Sequence, residues 1–351
     1  MKKRLLAVAA FMLSLNGYAA NDAAWMRYCA ISPNGQQIAF SYKGDIYTVG
    51  VNGGRANQIT TNPAHDTHPI WSPNGQQIAF ASDRLGGMDI YIVDKEGGVP
   101  TRITTHSGNE TPLAFKDNEH ILFQANILPA ADDMQFASAQ FPQVYEVSTS
   151  GGRPIMFSSM PMEDISISAD GKTLLYHDKK GYEDNWRKHH TSSITRDVWM
   201  CNLDGERSYK KLSTFNGEDR TPVWANADTY YYLSEQNGSF NVFKANLNEG
   251  NPIQVTKHDK HPVRFLTRAN NGTLCYGYDG GIYTLKEGEQ PQKVNINVVT
   301  DKIDRDIIRQ IKNSGATQIA LSTEGKEVAF ILRGDVYVTS TEYKTTKQIT
   351  N

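Results

Sequence analysis

The chain has 351 residues, with 36 Lys and Arg against 38 Asp and Glu for a net charge of -2. That balance excludes nucleic acid or an anionic membrane as a partner reached by charge, because neither would find a basic surface. Helix-period stripes are almost absent, and short Ile, Val, Tyr, Phe and Thr runs bounded by Gly, Asn, Asp and Pro mark an all-β chain.

In chain order, the first segment stands apart. Lys2-Lys3-Arg4 is a basic head, Leu5 to Leu15 an apolar run, and Gly17-Tyr18-Ala19-Ala20 a small-residue stretch. This pattern reads as a secretory signal peptide over residues 1–20, too short for a stable span, with no Cys at the cleavage point to accept a lipid. The mature protein is therefore expected to be exported, to the periplasm or outside the cell, with no membrane segment.

A phrase then recurs seven times. It reads Ile31-Ser-Pro-Asn-Gly35-Gln-Gln-Ile38-Ala-Phe40, then Trp71-Ser-Pro-Asn-Gly75-Gln-Gln-Ile78-Ala-Phe80, with weaker echoes from Phe115, Ile167, Trp224, Phe265 and Leu321. The second unit is the clearest. Pro69 to Ser72 is a first strand, Pro73-Asn74-Gly75 a tight turn, Gln77 to Ser82 a second strand, Met88 to Asp94 a third and Pro100 to Thr104 a fourth. A period of about 40 residues with four short strands per unit is the mark of a β-propeller. Third strands recur as Asp45-Ile-Tyr-Thr-Val49, Asp89-Ile-Tyr-Ile-Val93 and five more, and their aromatic third residue is expected to pack between neighbouring units.

Six units follow one another closely over 21–297. The seventh is set apart by a charged connector, 298–316, that includes Asp301-Lys-Ile-Asp-Arg-Asp-Ile-Ile-Arg-Gln310. The expected architecture is a six-bladed propeller of four-stranded antiparallel blades, a connector, and the first blade of a second propeller over 317–351. A single seven-bladed ring with one long loop is the alternative. No spare N-terminal strand stands out apart from Asp22 to Met26. Without one, the ring would be held only by packing between the first and sixth units.

Cys29, Cys201 and Cys275 read as small buried hydrophobes, with one disulfide possible. Insertions at Asn126 to Phe141 and Asp178 to Thr195 lengthen two neighbouring loops on one face, which becomes the candidate working surface. Links on that face repeat Asp66-Thr-His68-Pro69, Asn109-Glu110-Thr-Pro112, Asp219-Arg220-Thr-Pro222 and Asp259-Lys-His261-Pro262. Asp66, His68, Asn109, Glu110, Asp219, Arg220, Asp259 and His261 are thus candidates for a polar channel mouth, against a structural role in turns. No nucleophile elbow, phosphate loop or metal-ligand spacing occurs, so no catalytic, cofactor or metal residue is assigned.

Unit two, Trp71-Ser-Pro-Asn-Gly-Gln-Gln-Ile-Ala-Phe-Ala-Ser-Asp83 followed by Asp89-Ile-Tyr-Ile-Val-Asp94, resembles the propeller repeat of TolB and the tricorn protease. The far end, Leu321-Ser-Thr-Glu-Gly-Lys-Glu-Val-Ala-Phe-Ile-Leu-Arg333-Gly-Asp-Val-Tyr-Val after a connector, resembles the passage from first to second propeller in tricorn-like serine peptidases. That resemblance implies a serine peptidase truncated before its catalytic domains, whose first propeller routes peptides. The partners it implies are peptides or unfolded segments and a C-terminal propeller, PDZ and peptidase region, with self-association left open. A stand-alone TolB-like periplasmic interaction propeller is the alternative.

Overall fold

The computed structural model describes residues 25–127, 141–182, 192–248, 250–299, 312–343 and 345–350. Residues 1–24, read above as mostly a signal peptide, most of the connector and the central parts of both long insertions lie outside the described residues. Every regular element among the described residues is a strand. The chain divides into two compact units, Met1–Val299 and Thr300–Asn351.

The first unit holds six four-stranded antiparallel sheets, each laid down in chain order. The second sheet shows the pattern, with strands Asp66–Trp71, Gln77–Leu85, Gly87–Asp94 and Thr101–Arg102. Its first turn is closed by the phrase itself. Ser72 Oγ donates to Asn74 Oδ1 at 2.7 Å and accepts from Gln77 N at 2.9 Å, while Gly75 supplies a φ of +66°. The fourth strand is pinned by a hydroxyl: Thr104 Oγ1 accepts from Ile90 N at 2.9 Å, and Thr60, Ser213 and Thr256 do the same for Ile46, Val198 and Val242.

Both faces of each sheet are apolar because each faces a neighbour. Side chains alternate across a strand, so Ile38 and Phe40 join a layer with Cys275 and Ile282 of the sixth sheet. Ala39 between them joins a layer with Ile78 and Phe80 of the second. Six such layers separate the six sheets and run full circle. The aromatic third residue pairs across strands with the phrase's own last aromatic, as Phe40 with Tyr47, Phe80 with Tyr91, Phe123 with Tyr145 and Tyr232 with Phe243. First strands touch one another around the centre, and the last, Arg264–Arg268, touches the first, Arg27–Ile31.

The seam between first and sixth sheets is not held by packing alone, which corrects the sequence expectation. Ile296–Asn297 runs parallel to Gly54–Arg55. Gly54 N donates to Asn295 O and Ala56 N to Asn297 O, both at 2.9 Å, and Met26 N donates to Gly280 O at 3.1 Å. Gly53 makes this approach possible: its φ is +85°, and a Cβ there would lie 2.4 Å from Asn295 O. The closing strand follows directly on Gln292–Lys293, the last strand of the sixth sheet.

The second unit is one sheet of Ala316–Leu321, Glu327–Leu332, Asp335–Ser340 and Thr346–Gln348.

Candidate functional site

Each first strand of the ring carries one extra residue against its partner. The register slips between Arg27 and Ala30, Thr67 and Ile70, Pro112 and Ala114, Glu163 and Ser166, Arg220 and Val223, and Arg264 and Thr267. Such a bulge re-aims a side chain. In five strands the bulge holds a non-glycine residue in the left-handed region: Tyr28 (51°), His68 (53°), Asp164 (49°), Thr221 (52°) and Phe265 (57°). A left-handed non-glycine costs on the order of 1 kcal/mol or more, and here the cost recurs at one ring of positions. In the third strand the matching position is Pro112, whose ring forbids a positive φ, and the slip there takes a different form.

These residues line one central cavity of about 990 Å³, formed by the first strands of all six sheets. One side of the collar is aromatic. The Tyr28 ring lies on His68 with centroids 3.6 Å apart and against Phe265 at 4.8 Å. Burial pushes the His68 imidazole down to about 4, so it is uncharged at neutral pH, and its Nδ1 has no hydrogen-bond partner among the described residues.

The opposite side is polar. Thr221 Oγ1 donates to Asp164 Oδ2 at 2.6 Å. Thr221 N donates to His177 Nδ1 at 3.3 Å, which assigns the imidazole proton to Nε2, facing Glu163 Oε2 at 3.1 Å. Burial would raise the Glu163 carboxyl. The His177 hydrogen bond, with the charges of Lys179 and Arg196, outweighs it and holds the carboxyl well below the usual range. Arg196 continues to Glu218 at 3.1 Å, and Arg220 joins Glu218 at 3.5 Å while its guanidinium sits 4.2 Å from the Phe240 ring centroid. This network ties the fourth sheet to the fifth beside the cavity.

Of the eight sequence candidates, His68 and Arg220 line the cavity. Asp66 is buried in the wall and paired with Arg84 at 2.7 Å. Glu110 is buried and accepts from Thr104 Oγ1 at 2.8 Å; Asp219 is buried at the start of its strand. Burial raises both carboxyls to about 7. Asn109 is exposed, and its Oδ1 accepts from Met88 N at 3.0 Å. Asp259 is exposed, and His261 sits 3.3 Å from Asp279. The Asp66-Thr-His and Asp219-Arg-Thr segments are not links but the opening residues of first strands. Tyr28, Asp164, Thr221 and Phe265 were not marked by chemistry. Their signal is position: each, like His68, stands four residues before the residue that opens the turn, at 32, 72, 168, 225 and 269.

Residues 23–291 match the model of the tricorn protease N-terminal beta propeller domain. The chain belongs to that family. It is 21% identical over 275 residues to tricorn protease homolog 1 of Streptomyces coelicolor, covering 78% of this chain and 25% of that relative. The crystal structure of the tricorn protease superposes with a TM-score of 0.68 at 19% identity, over 93% of this chain and 31% of that one. TolB from Acinetobacter baumannii gives 0.51 at 17% identity, over 70% of this chain and 57% of that one. The chain thus spans about a quarter of the curated tricorn relative. Among the described residues no group of three or more His, Cys, Asp or Glu is placed to hold a metal ion.

Proposed function

We propose that this chain is the non-catalytic propeller portion of an exported tricorn-like serine peptidase, and that its central cavity admits or holds peptide moving to or from a peptidase core. The observation that carries this reading is the open cavity through the first strands, ringed by residues kept in a strained conformation. Family membership and the quarter-length match to a tricorn relative support a role beside further domains. The basic head and apolar run at residues 2–15 support export.

Two measurements on the purified chain test this. Unstructured peptides should bind, with binding lost on blocking the cavity by Thr221→Trp, and no peptide should be hydrolysed. Robust hydrolysis by this chain, or binding indifferent to Thr221→Trp, overturns the reading. The TolB likeness favours a second reading, a stand-alone interaction propeller. The reading frame past codon 351 separates the two, since further propeller and peptidase regions belong only to the first.

A further inference from the structure

Resting on the peptide-channel reading, we infer that the collar is a binding site for a protonated amino group, the free N-terminus of a peptide, held at Asp164 with its first side chain against Tyr28, His68 and Phe265. Asp164 reaches the cavity from its bulge with the side chain 48% exposed. The Thr221 hydroxyl fixes Oδ2, and Oδ1 carries no hydrogen bond among the described residues. An ammonium donates three hydrogens and is matched by a carboxylate fixed in this way.

Three neighbouring charges are already engaged. Glu163 is already engaged by His177, Lys179 and Arg196. Arg220 is drawn to Glu218, and Arg268 Nη1 donates to Trp224 O at 3.4 Å. Across the collar, uncharged His68 stacked on Tyr28 offers aromatic faces that attract a cation and cover an apolar side chain. Tyr28, His68 and Phe265 line the same cavity as Asp164, so one ligand in it meets both sides. Arg264 lines the same cavity beside Phe265, so a peptide carboxylate is the competing ligand.

The test titrates one short peptide in three forms into the purified chain by calorimetry: free, N-acetylated and C-terminally amidated. Acetylation should weaken binding about tenfold and amidation less than about twofold. Asp164→Asn should erase the difference between free and acetylated forms, Asp164→Glu should keep most of it, and Thr221→Val should weaken the free peptide by a few-fold. Equal binding of all three forms to the unaltered chain overturns the amino-group site and leaves the channel reading standing. Loss on amidation instead moves the site to Arg264 and overturns it too. Failure of all three to bind overturns the channel reading itself. The peptide series on the unaltered chain decides the matter even if a variant does not fold.

A second inference rests on the seam. Cys29 and Cys275 share one buried apolar layer between the first and sixth sheets, both as free thiols. Cys29 Sγ lies 3.5 Å from Phe265 O, Ile31 N donates to Thr267 Oγ1 at 3.1 Å, and Thr267 stands directly opposite Cys275. Burial pushes the Cys275 thiol up, and the Cys29 thiol beside it adds to the effect. We infer that the two form a disulfide that closes the ring covalently. The two thiols give up two electrons and two protons to a small-molecule or protein disulfide, which leaves as two thiols. After refolding with oxidised glutathione, then denaturation and alkylation, only Cys201 should be labelled, and a Cys29–Cys275 peptide should appear by mass spectrometry. Labelling of all three cysteines overturns this.

Discussion

The sheet of the second unit and the second sheet of the ring start from one phrase and end in different surroundings. Ser322 Oγ accepts from Glu327 N at 3.1 Å, as Ser72 Oγ does from Gln77 N at 2.9 Å. Phe330 faces Tyr337 as Phe80 faces Tyr91. Thr350 Oγ1 accepts from Val336 N at 2.9 Å, as Thr104 Oγ1 does from Ile90 N. Yet Ile319 is 71% exposed while Phe80 is at 0%, and no described residue of the second unit is buried. Gln318, four residues before Ser322, does not take the positive φ shared by five collar residues. Local sequence therefore sets the turn, the cross-strand pairs and the register slip, which recurs between Ala316 and Ile319, whereas burial and the left-handed φ at the collar position belong to the ring.

The largest expected effect comes from separating the two regions. A single four-stranded sheet with no buried residue does not bury enough apolar surface to be stable alone. Residues 312–351 expressed alone should show no cooperative thermal transition, while residues 25–299 should melt as the ring does in the whole chain. A cooperative melt of the short piece would break the contrast. Next, Phe80→Ala should cost about 3–5 kcal/mol by urea unfolding of the ring, because it empties a fully enclosed site. Phe330→Ala, at a half-exposed position, should cost less than about 1 kcal/mol. Below the Phe80 effect, Thr104→Val should cost about 1–3 kcal/mol, because Ile90 N and buried Glu110 both lose a partner. Thr350→Val, in the open sheet, should change stability by no more than about 0.5 kcal/mol.

The same contrast explains what could be read in the sequence. Turns, cross-strand aromatics and the four-strand unit depend on residues close in the chain, and the phrase announces them. The seam strand Ile296–Asn297 is two residues long and has no period to detect; only the fold brings it beside Gly54–Arg55. Asp66 and Asp219 stood out as polar residues at a supposed mouth, and they are buried because their strands begin earlier than the apolar pattern suggests; Glu110 is buried just before its strand, against Thr104. The collar was hidden for the opposite reason. Tyr28 and Asp164 belong to no motif, and Phe265 and Thr221 stand only inside an echo of the phrase and a link motif. What unites them is a backbone slip that composition does not encode, visible only as a shared offset from the turn.

Because no described residue of the second unit is buried, pH-dependent stability should reside in the ring, and two of its groups should pull in opposite directions. The Asp219 carboxyl is raised to about 7 when folded, against about 3.9 when unfolded. Between those values the folded state binds more protons, so stability falls as pH rises and the loss is complete above about 7. His68 is lowered to about 4, against about 6.5 unfolded. There the unfolded state binds more protons, so stability falls as pH drops from about 6.5 to about 4. The two slopes oppose each other across the shared window, and Glu110, raised to about 7 like Asp219, adds to the first. Asp219→Asn should remove one of them, matching the unaltered chain near the acid end and exceeding it by about 4 kcal/mol at about pH 8. His68→Phe should do the reverse, with its advantage confined to the acid side. Urea midpoints measured across that range for residues 25–299 and for the whole chain should coincide. A pH dependence that disappears when the second unit is removed would place the responsible groups outside the ring and undo the contrast.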